Sequence, residues 1–131
     1  MKTILFSELV SDGVLLSYIP VTRWFSINNV PSVPKKPFAV IKWTGTNNGI
    51  PQSNNGVQGV QIWVHGEEGS YAVIDIIIER TKYVIQEIKD SKAEKGSGII
   101  ACTRWNNDSG ELLDLDRRTN VRYTQWQIIG R

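Results

Sequence analysis

Residues 70–88, SYAVIDIIIERTKYVIQEI, constrain the fold more than any other stretch of the chain. The apolar residues recur at helical spacing, which predicts a helix packed against a core. Advancing about 100° per residue, Val73, Ile74, Ile77, Ile78, Thr81, Val84, Ile85 and Ile88 fall on one broad arc, the face expected to meet a sheet. Asp75, Glu79, Lys82 and Gln86 gather on the opposite side. Ala72, Ile76 and Tyr83 join neither group. They make a thin second apolar strip, bordered by Glu79 and Gln86 on one edge and by Arg80 and Glu87 on the other. Something must cover such a strip. Either Ile76 and Tyr83 tuck under the N-terminal segment, or the strip, with Arg80 and Glu87 at its rim, meets a neighbouring subunit. Ahead of the helix, Glu67 and Glu68 lie where the helix dipole favours negative charge, and Ser70 is placed to cap.

The rest of the chain supplies the sheet. Phe38–Trp43 (FAVIKW) and Val57–His65 (VQGVQIWVH) read as strands rich in β-branched and aromatic residues. In the second, Val60, Ile62 and Val64 alternate with Gly59, Gln61 and Trp63, the period of a sheet with two unequal faces. Their closeness in sequence predicts an antiparallel hairpin across a polar loop, residues 44–56. Ile99–Trp105 is a third strand and Thr119–Gly130 a fourth, joined by a second polar connection, 106–118, with room for one helical turn. At the front, residues 2–10 suit a short amphipathic helix with Thr3 as a cap and Leu5, Phe6, Leu9 and Val10 inward. The following VLLSYIPVTRWFSI is helix or extended, and the three prolines of NNVPSVPKKP make an extended connector. The expected fold is α+β: a four-stranded, mainly antiparallel sheet with an N-terminal helix and one long central helix packed on one face. With 131 residues it fits one domain, 1–131, made of an N-terminal segment, 1–33, and an α+β core, 34–131.

Catalytic chemistry finds little support. Fifteen basic and 13 acidic residues leave a net charge of +2, with no strong pull toward nucleic acid or membrane. Cys102 is the single cysteine; its apolar surroundings, GIIACTRW, predict a buried, inert thiol, and a lone cysteine fits a reducing compartment. His65 is the single histidine, so any metal site or Ser-His-Asp triad would rest on it; a His65–Glu67–Asp75 metal site is conceivable, a structural or solvated imidazole the plainer reading. There is no P-loop, dinucleotide fingerprint or Cys-x-x-Cys. Arg104, Arg117, Arg118 and Arg122, with Trp105, Tyr123 and Trp126, form either a stacking platform for single-stranded nucleic acid or a half-buried sheet face. No catalytic residue, cofactor or metal is expected. The apolar start, Ile4–Phe6, is too short for a signal peptide or a membrane span, which points to synthesis in the cytoplasm.

The order of segments carries a resemblance. KPFAVIKW, a loop, VQIWVHGEEGSYAVIDIIIERTKYVI, and CTRWNNDSGELLDLDRRTNVRYTQWQIIG resemble tail terminator (tail completion) proteins of long-tailed bacteriophages, especially those infecting actinobacteria. The likeness covers roughly residues 34 to 130, and its most specific parts are the tryptophan-bearing strand, the VH and acidic turn, the SY…ID helix and the late TRW…D…L…R…RY pattern. It implies a small α+β domain that assembles as a hexameric ring on the head-proximal end of the tail tube, in a virion assembled in the host cytoplasm. Its partners would be copies of itself, the major tail tube protein and a head–tail connector protein, with no membrane and no specific nucleic acid, DNA passing through the ring lumen. The resemblance carries no catalytic residues. In this reading the strip of Ala72, Ile76, Arg80, Tyr83 and Glu87 is a subunit interface. The polar connections, with Asn47, Asn48, Gln52, Asn54 and Asn55 in one and Asn107, Asp108, Arg117 and Arg118 in the other, reach the tube or the connector. Another head–tail connector component, adaptor or stopper, and a small single-stranded nucleic-acid-binding module are the alternatives.

Overall fold

The computed structural model describes residues 2–47, 57–88 and 100–130. Its elements run α1 (Lys2–Val10), α2 (Gly13–Tyr18), β1 (Trp24–Ser26), β2 (Phe38–Asn47), β3 (Val57–Gly66), α3 (Ala72–Gln86), β4 (Ile100–Asp108), β5 (Leu112–Asp114) and β6 (Thr119–Gly130), with short 3-10 turns at Val21–Arg23 and Ile27–Asn29. The class is α+β as expected, but the sheet has six strands rather than four, in the order β1-β2-β3-β6-β4, with β5 also on β6. Both extra strands come from segments too short to show a period. β1 is three residues after a proline, paired parallel to β2 from Trp24↔Ala39 to Ser26↔Ile41. β5 lies where a polar connection was expected, antiparallel to β6 from Leu112↔Val121 to Asp114↔Thr119. β4 occupies the same edge of β6 further along, so β4 and β5 form one irregular arm interrupted at residues 109–111. There Ser109 stitches the gap: its N–H donates to the Tyr123 carbonyl at 2.9 Å, and its hydroxyl accepts from the Tyr123 N–H at 2.9 Å.

The β2–β3 hairpin is antiparallel as anticipated, though β2 runs on to Asn47, four residues past the expected end at Trp43, with a bulge between Trp43 and Gly45. The strand rules stop at Thr44 because Gly45 interrupts the β-branched run; the bulge, with Gly45 at φ +99°, absorbs it. β3 lies between β2 and β6, which makes it the centre of the sheet.

Alternation divides the sheet into two faces. Ala39, Ile41, Val60, Ile62, Val64, Trp126 and Ile128 face the helices and are buried with Ile4, Leu5, Leu9, Ile74, Ile77, Ile78 and Ile85. α1 buries Ile4, Leu5 and Leu9. Phe6, expected inward, is exposed, and Thr3 lies inside the helix rather than capping it. α2 is capped by Asp12, whose carboxylate accepts from Leu15 N–H at 3.0 Å. α3 begins at Ala72, whose N–H donates to the Ser70 hydroxyl at 3.2 Å, so Ser70 acts from two residues ahead of the helix, with Tyr71 at the cap position. The close seating of α3 explains Gly66: a Cβ there would come within 2.7 Å of Ile74 Cγ1.

The predicted inner arc of α3 holds at Ile74, Ile77, Ile78, Thr81, Val84, Ile85 and Ile88. Val73 departs from it and is 46 % exposed. At 100° per residue it lies about 80° off the middle of the buried arc, so it joins the outer strip.

Candidate interaction surfaces

The outer strip of α3 is open. Ile76 is 48 % exposed and Tyr83 53 %, so the N-terminal segment does not cover them. That segment instead meets the helix beside the strip. The Arg80 guanidinium donates to both Asp12 carboxylate oxygens, at 3.0 and 2.7 Å, and lies 4.7 Å from the Tyr83 ring centre. The hydrogen bond from Arg80 holds the Asp12 carboxyl below its ordinary value, against the opposing effect of burial and with help from the Leu15 N–H. Asp12 thereby caps α2 and holds Arg80 over Tyr83. Ala72 and Glu87 are exposed at the two ends of the strip.

The other edge of α3 is tied to the sheet. Asp75, at the helix start, receives Arg122 at 2.6 Å, and Lys82 reaches Asp108 at 2.7 Å and Glu79 at 3.5 Å. Asp108 also accepts from Trp105 Nε1 at 2.9 Å and Thr124 Oγ1 at 2.7 Å. Burial pushes its carboxyl up, but these three donors outweigh it and hold it below the ordinary value; the same contact with Asp108 raises Lys82. Asp108 therefore ties β4, β6 and α3 together.

Among the described residues no α-helix packs on the opposite face of the sheet. Trp63 and Tyr123 stack across β3 and β6 with ring centres 4.6 Å apart. Beside them Trp63 Nε1 donates to Gln61 at 3.0 Å, and Gln61 donates to Gln125 at 3.4 Å. Cys102 opens onto this face opposite Ile129 and is exposed, contrary to the buried thiol expected from its apolar neighbours. Strand alternation, not local composition, decides its side.

At one end of this face the 3-10 turn of residues 27–29, β5 and the turn after it enclose a cleft of about 680 Å³. Its walls include Ile27, Leu112, Leu113 and Leu115, all exposed, with Lys42 and Arg117 beside them. His65 lies at its base. The imidazole is buried, stacked on Phe38 at 4.4 Å, and shares a 2.8 Å hydrogen bond with Thr119 Oγ1. Burial drives its pKa down to about 4, with Asp114 opposing and Arg117 reinforcing, so it is neutral at pH 7. It is a core histidine. Glu67 is exposed, and Asp75 is on the helix side with Arg122, so the three residues of the conceivable metal site do not converge. Among the described residues no group of three or more His, Cys, Asp or Glu is gathered to hold a metal ion.

The arginine and aromatic group is likewise divided. Arg104 is exposed, Arg117 pairs with Asp114 at 3.5 Å, Arg118 stands at φ +52° in the turn, Arg122 is on the helix side and Trp126 is in the core. They do not form one stacking platform. Of the loop positions, Asn107 is exposed on β4, Asn47 ends β2, and Asn48, Gln52, Asn54 and Asn55 lie outside the described residues. The cleft escaped the sequence reading. Its only sequence signal was ELLDLD, where Leu112, Leu113 and Leu115 stand too close to charges for a core strand.

No protein-family model and no curated protein matches the sequence. Among solved structures, a chain from the virion of a native gene transfer agent particle matches 100% of this chain and 95% of its own length, with a TM-score of 0.70 at 10% identity. The two share a fold. Among the described residues no helix is long and apolar enough to cross a membrane.

Proposed function

We propose that this chain is a structural protein of a bacteriophage-type virion, folding as one domain over residues 1–131. Its role is that of a tail terminator: a hexameric ring at the head-proximal end of the tail tube, which halts tube growth and presents a surface to the head connector. The observation that supports the virion role is the likeness to a virion chain across essentially the full length of both; the terminator role rests on the resemblance of the sequence. The exposed surfaces agree with it. A ring of identical subunits needs two different contacting patches, and the chain exposes an apolar helix strip and an apolar cleft on separate elements. In this reading Ala72, Ile76, Arg80, Tyr83 and Glu87 belong to the subunit interface, and the 44–56 segment, with the part of 106–118 outside the cleft, faces the tube or the connector.

Deleting the gene from its phage tests the assignment. Overlong tails without heads are expected, and gold-labelled antibody against the chain should mark the head–tail joint of intact particles. Tails of normal length joined to full heads in the deletion would end the terminator reading.

A further inference from the structure

We propose that the two apolar patches are partners: the α3 strip of one copy seats in the sheet-face cleft of the next. This rests on the ring reading and specifies its contact. The shapes suit each other, since the strip is the convex side of a helix with Val73, Ile76 and Tyr83 projecting, and the cleft is concave with exposed leucines.

Charge selects this pairing over strip against strip or cleft against cleft. Along the strip, Arg80 is neutralised by Asp12 and Asp75 by Arg122. Lys82 stands between Glu79 and Asp108, so Glu79 and Glu87 leave the strip negative. At the cleft Asp114 and Arg117 pair with each other. Lys42 on its wall is exposed and offsets Asp116, so the lining itself is balanced. At the adjoining turn Lys36 Nζ donates to the Arg118 carbonyl at 2.7 Å, which puts two further cations at the cleft's edge against one further carboxylate, Glu111 beside Leu112, and leaves the surroundings weakly positive. A negative apolar ridge thus faces an apolar hollow with a weakly positive edge, the complementarity that orients an interface and rejects the like-on-like alternatives.

Two variants decide it. Ile76→Asp spoils the strip and Leu115→Asp the cleft; Leu115 is 77 % exposed, so folding is not at stake there, and circular dichroism checks both. In sedimentation the native chain should form a multi-chain species, and each variant alone should fall to the 14.8 kDa of one chain. Mixed in equal amounts, the variants should recover a two-chain species and nothing larger, because one intact strip and one intact cleft remain. Retention of the native mass by Leu115→Asp would mean strips contact strips, and its retention by Ile76→Asp would mean clefts contact clefts; either overturns the pairing. So does a native chain that stays single at every concentration, or a mixture that fails to pair. The gene deletion judges the terminator role separately: a chain that pairs in this way yet whose deletion leaves tail length unchanged sinks that role alone.

Discussion

The two faces of the sheet are built by the same strands and differ in almost every other respect. On the helix side Ile41, Ile62 and Ile128 meet α1 and α3 and are shut away from water. On the other side, one residue along each strand, Lys42 and Gln61 are in solvent or half in it, and Trp63 lies on Tyr123. The covered face holds the fold together. The bare face is free to differ, and it ends in a cleft whose walls leave Ile27, Leu112, Leu113 and Leu115 in solvent. The same split recurs on α3, where Ile77 is fully buried and its neighbour Ile76 is half exposed.

Substitution on the covered face should have the largest effect. Ile62→Ala, at the centre of the central strand, removes a fully buried side chain and should cost about 3 kcal/mol, within the usual range for such cavities. Chemical denaturation measures it. A cost below about 1 kcal/mol would mean that this face is loosely packed, and the contrast between the faces would weaken.

His65 is a place on the bare face where a large effect is expected, because it is buried there beneath the cleft together with Phe38, Val40 and Val121. Its folded pKa of about 4 lies below the ordinary 6.5, so the native state favours the neutral ring. The stability from this group is complete above pH 6.5 and drains as the pH falls toward 4, by about 3 kcal/mol at most. The lowered carboxyls of Asp12 and Asp108 act in the same direction but further into acid, below their ordinary 3.8. His65→Gln keeps a hydrogen-bonding partner for Thr119 and removes the titration. Its stability should be flat from pH 6.5 to 4, where the native protein declines, and both should fall below that. Parallel declines in the two proteins would place the titrating group elsewhere.

These contrasts mark what the sequence alone reveals. A helix of 15 residues and strands of nine to twelve have room to show their period, so α3, the β2–β3 hairpin and β6 are legible. β1 and β5 have three residues each and are made by pairing to a neighbour already in place, which no local pattern records. The strip on α3 is legible because a helix fixes the direction of every side chain, and Val73 was misplaced only at the edge of the arc. The cleft is not, because Ile27 and Leu113, 86 positions apart (113 − 27), line it together only once the sheet has formed. Cys102 shows the same limit: apolar neighbours say nothing about a face that pairing with β6 decides.

The stacked pair on the bare face should contribute a smaller, local amount. Trp63→Ala and Tyr123→Ala together should cost less than the sum of the two alone, with a coupling of about 1 kcal/mol for the tilted, closely packed rings. No coupling would mean that the rings lie together without mutual stabilisation.

The smallest effect on stability belongs to Lys42, and there the comparison becomes functional. Ile41 beside it is buried, whereas Lys42 is exposed on the cleft wall, so Lys42→Glu should change folding stability by no more than about 0.5 kcal/mol. Its effect should appear between copies instead. Reversing one of the cleft's cations against the negative strip should weaken self-association and reduce the loss of association on adding salt, since part of the attraction that salt screens is gone. A variant as stable as the native chain that associates as tightly, with an unchanged salt response, would separate the cleft from the subunit contact and leave its apolar walls to a different partner.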